Sequence, residues 1–335
     1  MKRLLAVLLP LFLLSGCAPK EYLTDFFAMD TFMSVRVQGQ KAQTLAAQCE
    51  QKVNELEKLL SRTRADSAIY QINALSSETL PSLVTAYIQE AASLSSWTEG
   101  CFDPTVAVLT DLWGIGTDAA CVPEQKKIDE ALLQIGADNI EIGKLNESDT
   151  WEVTLRNGAQ LDLGGIAKGI AADECAAILR QADASGLLML GGNIYAVGSN
   201  SGKPWIVGIA DPDNTADYLA TVAVEDLSVV TSGDYERYFE QGGKRYHHIF
   251  DPRTGYPADS GLRSVTVIDE NSTMADALTT ALFVMGLEDG MEFCAANGIA
   301  AVFITADKQI HTTPKVKQIC AFTFDGEDKG YTYVQ

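Results

Sequence analysis

The chain has 335 residues, with 45 Asp and Glu against 25 Lys and Arg, and carries a formal charge of −20 at pH 7. That balance excludes nucleic acid as a partner, because a phosphate backbone is bound through clustered Lys and Arg. An anionic ligand would have to be held by a metal ion or by backbone amides.

The N-terminus carries Lys2 and Arg3, an apolar run from Leu4 to Leu14, then Ser15, Gly16 and Cys17 before the polar stretch from Ala18 to Glu21. The run is too short for a membrane span, which needs about 20 apolar residues. It reads as a secretory signal over residues 1–17 ending in a lipobox, with Cys17 as the lipidated first residue of the mature chain. Two or more acyl chains give lasting attachment, so the expected location is the outer side of a bacterial membrane or the periplasm. The other six cysteines, at 49, 101, 121, 175, 294 and 320, show neither C-x-x-C nor zinc spacing. Export permits disulfides, but Cys49 and Cys175 lie in helix-like apolar patterns where a buried thiol fits equally well.

After a tether over 18–25, Phe26 to Val37 alternates as a strand. Leu45, Cys49, Val53, Leu56 and Leu60 form the apolar stripe of a helix. A second helix is expected over Pro81 to Trp97, whereas Gly100 to Gly116, rich in Gly, Asp and Pro, reads as loop. From Asn139 short strands alternate with turns, interrupted by helices over Ile166 to Gln181 and Thr273 to Met285. The pattern predicts one α+β domain over 26–335, mainly antiparallel sheet with packed helices.

Three segments could carry chemistry. Leu161-Asp162-Leu163-Gly164-Gly165-Ile166-Ala167-Lys168-Gly169 runs from strand through a glycine turn into a helix, whose first N–H groups suit a phosphate. It matches neither standard nucleotide motif, and a plain structural turn accounts for it as well. In the helix from Met274 to Met285, Asp276 and Thr280 share one side a turn apart. Together they could offer hard oxygens to a cation, or Asp276 could simply complement the helix dipole. Tyr246 to Gly255 ends a strand with His247, His248, Asp251 and Arg253 at a turn fixed by Pro252 and Gly255. His248 there could act as a general base with Asp251 as its partner, or both could be solvated surface. Polar turns at Gly191-Gly192-Asn193 and Thr231-Ser232-Gly233-Asp234-Tyr235 could line the same pocket.

These segments, in this order, resemble the ApbE family, the FAD:protein FMN transferases. The matching stretches are Ala28 to Thr31, Ser67 to Asn73, Phe102 to Thr105 with Leu112 to Gly114, Asp162 to Asp173, Gly191 to Asn193, Thr231 to Asp234, His248 to Gly255 and Ala275 to Gly286. The resemblance implies a fold related to the T-fold and a bound FAD whose pyrophosphate is held by magnesium. It implies metal ligation by the side chains of Asp276 and Thr280, with Thr279 nearby and the carbonyl of Ala167. It further implies flavin or phosphate contacts at Met29, Cys101, Phe102, Asp103, Gly164, Lys168, Ile170 and Phe250. An acceptor threonine would attack the FMN phosphorus with His248 as base, releasing AMP, and the acceptor would be a separate exported or membrane-associated protein. Many members have Tyr where this chain has Thr63. Two other readings use the same residues: a magnesium-dependent FAD pyrophosphatase, in which water replaces the acceptor, and a flavin-binding lipoprotein without catalysis.

Overall fold

The computed structural model describes residues 21–144 and 149–334. The expected signal segment and Cys17 lie outside them. A nine-stranded sheet runs, edge to edge, through Glu21–Ala28, Thr31–Gln38, Ser185–Leu190, Asn193–Val197, Leu227–Gly233, Leu262–Asp269, Ala300–Thr305, Gln309–Thr312 and Thr332–Val334. Every pair is antiparallel except the last. Successive side chains of a strand point to opposite faces, and here both faces are covered. On one side Val35, Val37, Leu188, Leu190, Val230, Val265, Val267 and Phe303 pack against helices Ala42–Leu60, Gly164–Gln181 and Ser272–Met285. On the other, Ala196, Val229, Ile268, Val302 and Ile304 meet Trp205, Val207, Ile209 and Val222 from a separate three-stranded sheet. Neighbours such as Val229 and Val230 therefore belong to different cores, as the period of two requires.

The α+β class and antiparallel pairing are as the sequence indicates, while several boundaries differ. The single strand expected over Phe26 to Val37 is a hairpin, and pairing begins at Glu21, inside the expected tether. Its two-residue turn places Met29 at φ 49° and Asp30 at φ 58°, the positive values a type I′ turn requires of both central residues. Neither is Gly, so the turn is not announced by composition. The expected loop from Gly100 to Gly116 contains helix Ala107–Trp113, which buries Ala107, Leu109 and Trp113 and ends at Gly114 in the left-handed conformation. Trp113 donates from Nε1 to the Gly255 carbonyl at 2.9 Å, tying this helix to the histidine turn. Helices Ala68–Leu75, Gln125–Leu132 and Leu287–Asn297 are additional to those the sequence pattern predicts. The helix after the glycine turn starts at Gly164, earlier than Ile166, so both glycines are helical.

All six cysteines among the described residues are free thiols, and Cys49 and Cys175 are fully buried with each Sγ facing the other residue's carbonyl. Among the described residues, no helix is long and apolar enough to cross a membrane.

Candidate active site

The site is built where two helices cross. Asn73 fixes the approach to the first, its amide pairing both ways with Leu161: Leu161 N donates to Oδ1 at 2.7 Å and Nδ2 donates to the carbonyl at 2.8 Å. Asp162 then accepts the Gly164 N–H at 2.9 Å and faces Thr110 and Arg62. This polar frame holds an 18-residue helix in which Asp162 takes the Gly164 N–H and the Ile166 and Ala167 N–H groups turn back to the Leu163 carbonyl, which leaves the Gly165 amide as the one that could meet an anion. Gly169 lies one turn further in. A Cβ on it would stand 2.4 Å from the Ser272 carbonyl oxygen and 2.6 Å from Thr273 Cα, so only glycine permits this approach.

The second helix is anchored at that contact. Asp173 accepts from Ser272 N at 2.9 Å and from Thr273 N at 2.8 Å, and Asn271 caps the helix by accepting from Met274 N. Ser272 Oγ is joined to Asn193 and Ser228, which ties the turn after Gly192 into the same frame. One turn into this helix stands Asp276, only 3 % exposed. Its Oδ2 accepts the Gly169 N–H at 2.9 Å and its Oδ1 lies 4.0 Å from Lys168 Nζ. Burial raises its pKa, opposed by the Lys168 charge and the Gly169 hydrogen bond.

Thr280 is half-buried, with Oγ1 3.9 Å from the position a Gly165 Cβ would take, beside the Phe102 ring edge at 3.0 Å from that position. Asp276 and Thr280, whose spacing puts them on one side of their helix, thus face Lys168 and Gly165 of the other helix. Thr279 does not join them. Its hydroxyl donates to the Asp276 carbonyl at 2.7 Å and pairs with Ser232 Oγ at 2.8 Å, because one residue along a helix turns a side chain by about 100°, here into the sheet.

The hairpin turn borders this region. Met29 N donates to Glu57 at 3.1 Å, and the Thr31 side chain and Lys168 Cδ lie 3.1 Å and 3.5 Å from where a Gly191 Cβ would be. Glu236 was not singled out by its sequence. Its Oε1 is 3.1 Å from the position of a Gly192 Cβ. Protein crowded around its carboxylate raises its pKa although the residue as a whole is exposed, while Lys168 and Arg237 pull it down and Asp276 pushes it up. Its only signal in sequence is its place directly after the polar turn ending at Tyr235.

His248 and Asp251 share a loop but are not partners. His248 Nδ1 lies 3.3 Å from the Arg237 carbonyl, which also accepts the His248 main-chain N–H at 3.0 Å. A carbonyl only accepts, so Nδ1 carries the proton and the neutral ring keeps its lone pair on Nε2. Burial, then Arg237, His247 and Lys168, push the His248 pKa down to about 3. Asp251 is instead gripped by Arg253, Nε to Oδ1 at 2.9 Å and Nη2 to Oδ2 at 3.0 Å, and accepts the Arg253 N–H within the turn. A bidentate guanidinium two residues away outcompetes a neutral imidazole. His247 is also structural, its Nε2 facing the Ala258 carbonyl at 3.0 Å.

Several expected ligand contacts are occupied within the fold. Asp103 accepts from Thr105 N, Thr105 Oγ1 and Ser95 Oγ, and so organises its turn. Ile170 is 1 % exposed. Phe250 packs with Trp113, their ring centroids 6.1 Å apart. For these three the main chain is what remains to offer. Cys101 and Phe102 are buried, and burial pushes the Cys101 thiol up. Thr63 lies exposed in a turn with Ser61, next to the Arg62 that faces Asp162.

Among the described residues no three His, Cys, Asp or Glu side chains are grouped to hold a metal by themselves. The oxygens on this side of the crossing, the Asp276 carboxylate, the Thr280 hydroxyl and the Gly164 carbonyl that faces Lys168, are of the hard kind that suits a cation completing its shell with ligand phosphates, as magnesium commonly does.

A match to the family described as "ApbE family" spans residues 29–303. The chain is 37 % identical over 316 residues to the FAD:protein FMN transferase of Treponema pallidum, covering 88 % of this chain and 87 % of the relative. It is also 37 % identical to a Klebsiella pneumoniae protein of that name, covering 80 % and 84 %. Among solved structures, an ApbE protein from Thermotoga maritima superposes with a TM-score of 0.83 at 34 % identity, covering 90 % of this chain and 99 % of that one. A flavinyl transferase ApbE from Pseudomonas stutzeri superposes at 0.80 and 31 % identity, covering 91 % and 98 %.

Proposed function

The chain belongs to the ApbE family, and on that premise we propose that it moves FMN from FAD to a threonine of an exported acceptor protein, with magnesium bound and AMP released. It is a transferase that takes FAD as its substrate and a protein as its acceptor. The observation that carries the finer reading is the helix crossing at Gly169, which sets the buried Asp276 carboxylate against Lys168 within reach of the first turn of the Gly164 helix.

Lys168, with the Gly165 amide in the first turn of that helix, would receive the pyrophosphate, which offsets the strongly acidic character of the chain. Magnesium would rest on Asp276, Thr280 and the Ala167 carbonyl, and when bound it supplies positive charge for the phosphates and the departing AMP. His248, held through Nδ1, would take the proton of the acceptor hydroxyl on Nε2 as the oxygen–phosphorus bond forms and the bond to AMP breaks. The phosphate charges would counter Arg237 and Lys168 and raise the His248 pKa toward a useful value. Asp251 shapes the loop rather than relaying a proton. The Cys17 lipid anchor and a location in the bacterial cell envelope complete the proposal, placing the enzyme beside exported or membrane-associated acceptors.

The test is to mix the chain with FAD, magnesium and an exported flavoprotein carrying a threonine acceptor motif, and to read FMN addition by intact mass. Magnesium-dependent addition, lost in Asp276→Ala, is the expected result. FMN and AMP without labelled acceptor would assign the pyrophosphatase instead, and intact FAD would leave a flavin-binding protein.

A further inference from the structure

The charge of Asp276 has two partners. Gly169 N–H holds Oδ2 at 2.9 Å, and the Lys168 ammonium stands 4.0 Å from Oδ1 and 3.5 Å from the Gly164 carbonyl. The same ammonium is the leading cation acting on Glu236 and also acts on His248. A carboxylate this buried requires a counter-charge, and Lys168 supplies it from oxygens of the kind that a divalent ion would use.

We propose that Lys168 is the resident counter-cation of Asp276, competing with magnesium for that carboxylate until the pyrophosphate of FAD draws it away, so that metal and FAD bind cooperatively. The inference rests on the magnesium site proposed above. An ammonium and a divalent ion a few ångströms apart repel strongly at the low effective dielectric of a buried site, so the two do not share Asp276 comfortably. Lys168 can leave: its side chain is 25 % exposed, and its stem is flexible. Its stem passes the Gly191 turn, with Cδ 3.5 Å from the position of a Gly191 Cβ, and the helix start proposed to receive phosphate lies within its reach. Once FAD has taken the ammonium, magnesium meets an uncompensated carboxylate. By linkage, magnesium then strengthens FAD binding by the same factor.

The test titrates magnesium into the full chain by calorimetry without FAD, comparing wild type with Lys168→Met, Lys168→Gln, Lys168→Arg and Asp276→Asn. Removing the ammonium is expected to tighten magnesium binding by about tenfold or more, in the Gln variant as in the Met variant, while the Arg variant stays near wild type. FAD affinity measured in EDTA by quenching of flavin fluorescence is expected to fall in the Met and Gln variants. Equal or weaker magnesium binding in those two would overturn the proposal while leaving the metal site intact. Unchanged FAD affinity would overturn release by pyrophosphate. Magnesium binding that is absent from every variant, or that survives Asp276→Asn, would remove the metal site itself and the proposal with it.

Discussion

At the scale of single residues, the site depends on partners that differ from the nearest candidates in sequence. His248 illustrates the consequence. Its pKa is pushed down to about 3 in the folded chain, far below that of an ordinary imidazole. A histidine whose folded pKa is depressed stabilises the fold above its unfolded pKa, and that contribution fades as pH falls from about 6.5 toward the folded value. Replacing it with Gln should therefore flatten the loss of stability between pH 6.5 and 4, measured by urea midpoints across that range, and should abolish FMN transfer at neutral pH. Asp251→Asn, by contrast, should loosen the Arg253 turn and reduce transfer without eliminating it, since that carboxylate does not touch His248. Its kcat at saturating FAD, read beside that of His248→Gln, separates the two roles. The motif around the histidines made both residues visible in the sequence. It did not reveal their partners, because Arg237, whose carbonyl orients the ring, arrives from the other strand of a small hairpin.

At the scale of elements, the crossing of the Gly164 and Ser272 helices decides the chemistry. Gly169→Ala places a methyl against the Ser272 carbonyl at 2.4 Å, an overlap that must be relieved by separating the helices. Overpacking of this kind costs about 1–3 kcal/mol, and the shift would pull Asp276 from the Gly169 N–H. A lower urea midpoint together with weakened magnesium-dependent transfer is the expected outcome, and an unchanged midpoint would show that the helices give way freely. Asn73→Ala should cost a comparable amount, about 1–3 kcal/mol for the Leu161 groups left without their partner, because it removes both bonds that hold the extended segment before the Gly164 helix. Helix periodicity indicated both crossing helices, and the Asp276 to Thr280 spacing correctly brought those two residues toward one region. The Thr279 hydroxyl, one position away from Thr280, is turned instead to Ser232 and the Asp276 carbonyl. The hairpin at Met29 and Asp30 escaped notice because two ordinary residues adopt positive φ there. Local strain of that kind, at a turn bordering the site, is held by the surrounding packing rather than by turn chemistry.

At the scale of the whole molecule, the main sheet buries both faces, and its two cores join segments far apart in the chain. Strand Thr31–Gln38 pairs with Ser185–Leu190 across all the elements from helix Ala42–Leu60 to helix Gly164–Gln181, so the hairpin near the site and the Gly191 turn are brought together only when the sheet is complete. The proposed anchoring acts at this scale too. Cys17→Ser should shift the protein from the membrane fraction to the soluble fraction of an envelope preparation and abolish palmitate labelling, with flavin transfer to a soluble acceptor unchanged. Retention on the membrane would sink the lipoprotein reading without touching the catalytic one.

The sequence by itself determined the class of fold, the existence of the long helices and the family, because these depend on periodicities of a few residues and on the order of motifs. Tertiary structure alone decided that Asp276 meets Gly169 and Lys168, that Glu236 joins the site, that Asp251 belongs to Arg253, and that Asp103 and Phe250 serve the fold. The reason is physical: a local pattern fixes which face a residue takes, whereas its hydrogen-bond and charge partners are set by how closely distant elements can approach. Here that distance was set by the absence of a side chain at Gly169.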